Sequence, residues 1–124
     1  MGAWTVDDLD RIAVTDELEL TSERTDGSLR KPVTVWVVRH GDDLYVRSAY
    51  GPGSKWFRGI HDRHQGHVSA AGVEKDVRFI EADDDVNDAI DDAYRTKYAH
   101  YDASLVDPML KPDVRRTTLR LDAR

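Results

Sequence analysis

The chain has 124 residues, 40% of them hydrophobic, a length that supports one domain around one core and leaves no room for two. Its formal net charge of -6 argues against a general nucleic-acid binder, which needs a basic footprint over a wide face. The absence of cysteine excludes disulfides, thiolate metal sites and thiol nucleophiles.

The N-terminus, Met1 to Asp8, has neither the cationic start nor the apolar run of a signal peptide, and no segment approaches membrane-spanning length. A soluble cytoplasmic protein with no membrane or nucleic-acid partner is the expectation. Gly2 does not complete a myristoylation pattern, because Val6 stands where Ser or Thr is required. Thr5 with Asp8 reads as a helix cap, and Val6, Leu9, Ile12 and Ala13 share one helical face, so a short helix is predicted near residues 5 to 14. Glu17 to Ser22 alternates charged and apolar residues in strand fashion, and Thr25-Asp26-Gly27-Ser28 then turns the chain.

The most informative stretch follows. Val33 to His40 and Asp43 to Ser48 flank a two-residue turn at Gly41-Asp42, which pairs His40 with Asp43 and sets Trp36 opposite Arg47, Val35 opposite Ser48 and Val33 opposite Tyr50. Strand alternation then sorts the side chains. Val33, Val35, Val37, Leu44 and Val46 make an aliphatic core face, while Thr34, Trp36, Val38, Tyr45 and Arg47 make the other. That second face suits a flat aromatic ligand with a charged tail or a second subunit; without either, Arg47 lies over Trp36 at a solvated surface.

Beyond the loop Gly51-Pro52-Gly53-Ser54-Lys55, Trp56 to Asp62 reads as a brief helical turn. Gly66 to Ala70 and Val73 to Glu81 form a second hairpin about Ala71-Gly72. Asp83-Asp84-Asp85 opens the longest helix, in which Val86, Ala89, Ile90, Ala93 and Tyr94 follow helical spacing and Arg95 and Lys97 come late. Pro108 and Pro112 mark an irregular connection, and Arg115 to Leu121 is predicted as the last strand. The whole, residues 1–124, reads as a single α+β domain: a small antiparallel barrel of about six strands with an N-terminal helix and one longer late helix.

Several constellations invite chemistry and take a plainer reading. His61, His64 and His67 are three apart, but Gly66 interrupts any shared helix and Asp62, Arg63 and Gln65 give a solvated linker, so no metal is assigned. The Asp83-Asp84-Asp85 run lacks the interleaved ligands and glycine of a calcium loop, and helix capping accounts for it. Gly51 to Lys55 lacks phosphate-loop spacing, and Pro52 removes an amide donor.

The order of these features resembles a bacterial family of unknown function, DUF2255. The residues that carry the likeness are Thr21-Ser22, the turn at Gly27, a basic residue before Pro32, the Trp36 hairpin, Arg47-Ser48, the glycine-rich loop and Trp56. Val73 to Ile80 and Ala93-Tyr94-Arg95-x-Lys97-Tyr98 complete it. That family is in turn similar to split β-barrel flavin and deazaflavin binders, including pyridoxamine-phosphate oxidases and deazaflavin-dependent nitroreductases. The resemblance implies a cofactor phosphate near Arg30 and Lys31, Ser48 and Trp56 on the substrate side, and Tyr98 and Tyr101 closing the pocket. Two stretches depart from the redox pattern: the acids in Glu23 to Gly27, and Tyr50-Gly51-Pro52 in place of a simpler glycine loop.

Two functions follow as expectations. In the first, a homodimer uses FMN or a deazaflavin to oxidise or reduce a small organic molecule. Arg30, Lys31 and Arg47 hold the anionic tail, Trp36 and Trp56 flank the ring, Thr34 and Ser48 line the site, and Tyr98, Tyr101 and Ser48 serve catalysis. In the second, a cofactor-free barrel binds a small molecule or partner, or catalyses an isomerisation or cyclisation, with Tyr98, Tyr101 and Arg47 as binding or acid/base groups.

Overall fold

The computed structural model describes residues 4–124, so the readings made at Met1, Gly2 and Ala3 lie outside it. Thr5 caps helix α1 (Val6–Ala13) in a reciprocal box: its hydroxyl accepts the Asp8 amide at 3.0 Å while the Asp8 carboxylate accepts the Thr5 amide at 3.2 Å. Six strands follow, β1 (Glu17–Ser22), β2 (Val33–His40), β3 (Asp43–Val46), β4 (Gln65–Ala70), β5 (Val73–Glu81) and β6 (Leu119–Ala123). They close into an antiparallel barrel in the order β1-β2-β3-β6-β5-β4, with β4 pairing back to β1. No helix among the described residues is long and apolar enough to cross a membrane.

The barrel fills with the aliphatic face expected of the hairpin. Val35, Val37, Leu44 and Val46 meet Leu18, Leu20, Val68, Val77, Phe79, Leu119 and Leu121 in one buried cluster. Helix α1 adds Leu9 and Ile12 to it, and helix α2 (Lys55–Ile60) adds Phe57 and Ile60. Where β4 pairs with β1 at Ser22 and Gly66, a side chain on Gly66 would put its Cβ 2.0 Å from the Thr21 carbonyl oxygen, so only glycine permits that approach.

The hairpin register agrees at its closed end and stops early. His40 pairs with Asp43 and Val37 with Val46, but β3 ends there, so the ladder does not continue toward Arg47 and Tyr50, while the other edge of β2 pairs Val33 and Trp36 with Leu20 and Glu17 on β1. The strand peels away because Thr117 captures it: its hydroxyl accepts the Ser48 amide at 2.8 Å. The last strand also begins later than expected, at Leu119. Pro112–Arg115 forms the helical turn α5, and the Thr117 hydroxyl then donates to the Val114 carbonyl at 2.6 Å.

The outer face of the hairpin is covered by the chain itself. Helix α3 (Asn87–Lys97), preceded by a 3₁₀ turn at Asp84–Val86, the short helix α4 (Ala103–Val106) and a 3₁₀ turn at Asp107–Leu110 supply the cover. Val38 and Tyr45 there meet Ile90, Tyr94, Tyr98, Val106 and Met109, with Trp36 and Tyr101 packed at the margin. Among these apolar groups sits Arg47, 1% exposed. Its Nε donates to Thr118 Oγ1 at 2.9 Å, one terminal nitrogen to Asp91 Oδ1 at 2.6 Å and the Met109 carbonyl at 2.9 Å, and the other to the Asn87 carbonyl at 3.3 Å and Asn87 Oδ1 at 3.1 Å. Every one of its N–H donors is therefore occupied. The ring beneath its guanidinium is Tyr94, 5.4 Å away, not Trp36.

A buried charge left without its partner is expensive. Arg47→Met should lower stability by about 3–5 kcal/mol in urea unfolding, because it leaves the buried Asp91 with only Arg115 beside it and deprives Asn87, Thr118 and the Met109 carbonyl of their donor, and adding Asp91→Asn should recover part of the loss.

Candidate functional site

Two adjoining clefts lie beside β2, meeting at Val33 and Trp56. The first, about 560 Å³, is lined by Leu20, Ser22, Arg24, Arg30, Lys31, Val33, Lys55 and Trp56: four cations and no carboxylate in a chain of net charge -6. The second, about 420 Å³, presents Trp36, Tyr50 and Trp56, with Thr34, Ala49, Leu105 and Met109. Both volumes fall within the roughly 300–1,000 Å³ typical of small-molecule sites. Helix α2 places Lys55 and Trp56 here because its buried side carries Phe57 and Ile60, which turns the two preceding residues toward the rim.

The cations differ in how much they can offer a ligand. Arg30 is already engaged: it donates to the Glu23 carbonyl at 2.8 Å and the Gly59 carbonyl at 3.2 Å and pairs with Asp62. The Arg30 guanidinium lies against α2 where a Cβ on Gly59 would stand 3.1 Å from it. Arg24 donates to the Leu29 carbonyl at 2.9 Å. Lys31 and Lys55 are exposed, and among the described residues neither has a carboxylate within 4.0 Å.

The other residues singled out in the sequence do not all converge here. Arg47 borders the aromatic cleft, yet its guanidinium has no donor left for a ligand, which corrects its expected role as an anion holder. Ser48 is fully buried; its hydroxyl donates to the Gly51 carbonyl at 2.7 Å and lies 2.6 Å from the Ser54 hydroxyl, closing the loop between them. Tyr98 is also sealed. Its hydroxyl accepts the Val37 amide at 3.0 Å and donates to the Asp16 carbonyl at 2.6 Å, and burial pushes its pKa far above that of an ordinary phenol. Neither Ser48 nor Tyr98 is placed to exchange a proton with a bound molecule.

Tyr101 is half-buried, and its hydroxyl donates to Asp16 Oδ2 at 2.9 Å. This bond is the main cause that raises the Tyr101 pKa and lowers that of Asp16. Trp36 joins the two regions, since it lines the aromatic cleft and stacks on Tyr98 at 4.0 Å with planes 6° apart. Thr34 lines the same cleft with its hydroxyl donating to Glu19 Oε1 at 2.7 Å. Sequence reasoning missed Lys55 and Arg24, whose neighbours along the chain give no sign that they meet. It also missed Asn87 and Asp91, whose i, i+4 spacing beside Ile90 and Tyr94 was the available signal of a polar stripe on a buried face.

A closed six-stranded antiparallel barrel, its hairpin face covered by a late helix and its clefts set along β2, defines the α+β split-barrel class. Within that class the chain belongs to the bacterial family DUF2255, described as "Uncharacterized protein conserved in bacteria", whose model matches residues 8–121. No curated protein matches it in sequence. Among solved structures it is similar to a conserved hypothetical protein of Mycobacterium tuberculosis, with 13% identity and a TM-score of 0.65 over 99% of this chain and 82% of that one. It is similar to HutZ, a heme storage protein of Vibrio cholerae, with 10% identity and a TM-score of 0.61 over 93% and 86% of the two chains. A pyridoxamine 5'-phosphate oxidase-related, FMN-binding protein of Nostoc punctiforme matches with 15% identity and a TM-score of 0.51 over 93% and 75%. At these identities the likeness is one of fold.

The three histidines between α2 and β5 separate into two groups. His67, on β4, faces a carboxylate with each ring nitrogen: Nδ1 is 3.1 Å from Asp76 Oδ1 and Nε2 is 3.2 Å from Glu74 Oε1. The Asp76 hydrogen bond, aided by Glu74 and opposed by partial burial, raises its pKa above the ordinary 6.5. His61 and His64 stand together elsewhere, their ring centroids 5.2 Å apart. A histidine whose pKa rises on folding stabilises the fold fully below about pH 6.5 and loses that contribution as the pH climbs through the raised value. His67→Gln removes the effect. The stability difference between wild type and this variant, measured by urea unfolding, should therefore shrink between about pH 6 and about pH 8.

Proposed function

We propose that the paired clefts bind FMN or a deazaflavin, with the ring against Trp56, Trp36 and Tyr50 and the anionic tail toward Lys31 and Lys55. The observation that carries this reading is the junction at Trp56 of a carboxylate-free cationic cleft with an aromatic one. Flat rings favour stacking on indole and phenol faces, and ammonium groups without partners meet a phosphate at little reorganisation. The FMN-binding relative of the same fold supports the choice of ligand. A flavin bound there supplies hydride chemistry toward a small organic substrate.

The chain's own part is placement. Arg24 adds positive potential at the tail end, Arg30 is balanced by Asp62, and the hydrogen bonds of both hold the β1–β2 connection in shape. Thr34 lines the wall, and Arg47, Ser48 and Tyr98 brace it from behind. Tyr50 is 91% exposed and Leu105 54% exposed at the rim of the aromatic cleft, and a second copy of the chain covering them would make the homodimer and deepen the site. A second reading, a cofactor-free binder of small aromatic molecules, draws on the sealed hydroxyls of Ser48 and Tyr98, which leave the Glu17 carboxylate as the exposed acidic group on the aromatic cleft.

Titration of the purified chain with FMN, a deazaflavin and riboflavin, followed by flavin fluorescence, separates these readings. FMN or the deazaflavin should bind below about millimolar, and Lys31→Ala with Lys55→Ala should weaken FMN at least about tenfold while changing riboflavin, which lacks the phosphate, by less than about twofold. Failure of both cofactors to bind removes the first reading. Light scattering should give twice the chain mass, and Tyr50→Lys should shift the population toward monomer.

A further inference from the structure

We propose that His61, His64 and Glu81 form a binding site for a divalent transition metal of the zinc type. One ligand atom from each, two imidazole nitrogens and a carboxylate oxygen, lie within 4.8 Å of one another. The three come from separate places that the fold brings together: His61 caps the end of α2, His64 sits in the turn into β4, and Glu81 ends β5. None of them lines either cleft, so this site stands apart from the proposed ligand site.

The hydrogen bonding of His61 points to a cation. Its Nδ1 is 3.0 Å from the Phe57 carbonyl, which can only accept, so the proton resides on Nδ1. In the neutral ring the Nε2 lone pair then faces Glu81 Oε1 at 3.1 Å. Two acceptors at that distance repel unless positive charge lies between them. A metal-bound histidine characteristically donates its other ring N–H to a backbone carbonyl or a carboxylate, which fixes the ring and raises its basicity.

A proton on Nε2 would also relieve the repulsion, and His67, held between Asp76 and Glu74, shows what such a charge pair looks like. The difference at His61 is the second imidazole. The His64 ring meets the His61 ring edge to face, 79° between planes, and contributes a third ligand atom to the same small volume. Its backbone is held in the left-handed region, φ 53°, by hydrogen bonds from its amide to the Ile60 carbonyl at 2.7 Å and from the Phe79 amide to its carbonyl at 2.8 Å. Phe79 is two residues before Glu81 on β5, so one strand positions both the second imidazole and the carboxylate.

The neighbouring charges do not compete. Asp62 is paired with Arg30, and Arg63 Nε with Glu23 at 3.1 Å. Two imidazoles and a carboxylate select a borderline ion such as Zn²⁺ over Ca²⁺ or Mg²⁺, which favour oxygen shells. Tetrahedral bonds of about 2.0–2.1 Å require ligand atoms roughly 3.3 Å apart, a spacing that side-chain rotation at a surface can reach. Three protein ligands leave a fourth position for water.

Calorimetric titration of the untagged chain with Zn²⁺, and with Co²⁺ read by its visible absorption, tests the site. Expected is one ion per chain, held tighter than about 100 µM, with affinity at least about tenfold weaker in His61→Ala, His64→Gly and Glu81→Gln and unchanged in His67→Gln. His64→Gly suits the positive φ, so a loss of binding with a retained melting temperature assigns the effect to the ligand. Nitrogen chemical shifts of the wild-type histidines provide a reading free of substitution: Zn²⁺ should move His61 and His64 and leave His67 in place. Absence of saturable binding, retention of affinity in His61→Ala or Glu81→Gln, or a Zn²⁺ response at His67 alone would overturn the proposal.

Discussion

One buried guanidinium ties the late helix and the chain that follows it to the barrel. Arg47 stands at the point where β3 leaves the barrel, and its donors reach Asp91 and Asn87 on α3, the carbonyl of Met109, and Thr118 at the entrance to β6. An arginine can lie in an apolar interior only if its charge is matched and its donors are satisfied, and here both conditions are met. Arg115 Nε lies 3.2 Å from the other oxygen of Asp91, close enough for charge attraction although not aligned as a hydrogen bond. The helix is thereby docked in one position over the hairpin, where Ile90, Tyr94 and Tyr98 cover Val38 and Tyr45.

That docking decides which surfaces remain open. The hairpin face that an isolated reading offers to a ligand is largely roofed by α3, and Trp36 finds its stacking partner in Tyr98 of the same chain. What remains open is the strip along β2 where the cover ends and Trp56 stands between an aromatic and a cationic cleft. Most arginines outside that strip spend their charge on neighbouring carboxylates, as in Arg39 with Asp10 and Arg63 with Glu23. Among the described residues Lys31 and Lys55 have no such carboxylate, so a locally positive field persists in an acidic protein.

Some of this was legible in the chain because it rests on local chemistry. The Thr5 and Asp8 cap, the Gly41-Asp42 turn and the alternation of Val33, Val35 and Val37 depend on residues close in sequence, and each appears where local rules place it. The cationic cleft was half visible: Arg30, Lys31 and Trp56 were expected at a site, whereas Arg24 and Lys55 join them only because α2 packs across the β1–β2 connection. The apolar spacing of the late helix, with Ile90 and Tyr94 on its buried side, was legible, whereas Asn87 and Asp91 join that side only because Arg47 supplies their partner.

The amino-acid sequence by itself determined the strand and helix periodicities, the hairpin register near its turn, the aliphatic lining of the barrel and membership of the family, because those follow from nearest-neighbour sterics and the burial of apolar faces. Tertiary structure alone decided the fate of the charged and hydroxyl groups about the site: Arg47, Ser48 and Tyr98 turned inward, Lys31 and Lys55 left without carboxylates among the described residues, and His61 brought to Glu81 rather than His67. Such groups take their roles from partners distant in the chain, and no local pattern specifies which distant partner will satisfy a given donor or leave it exposed.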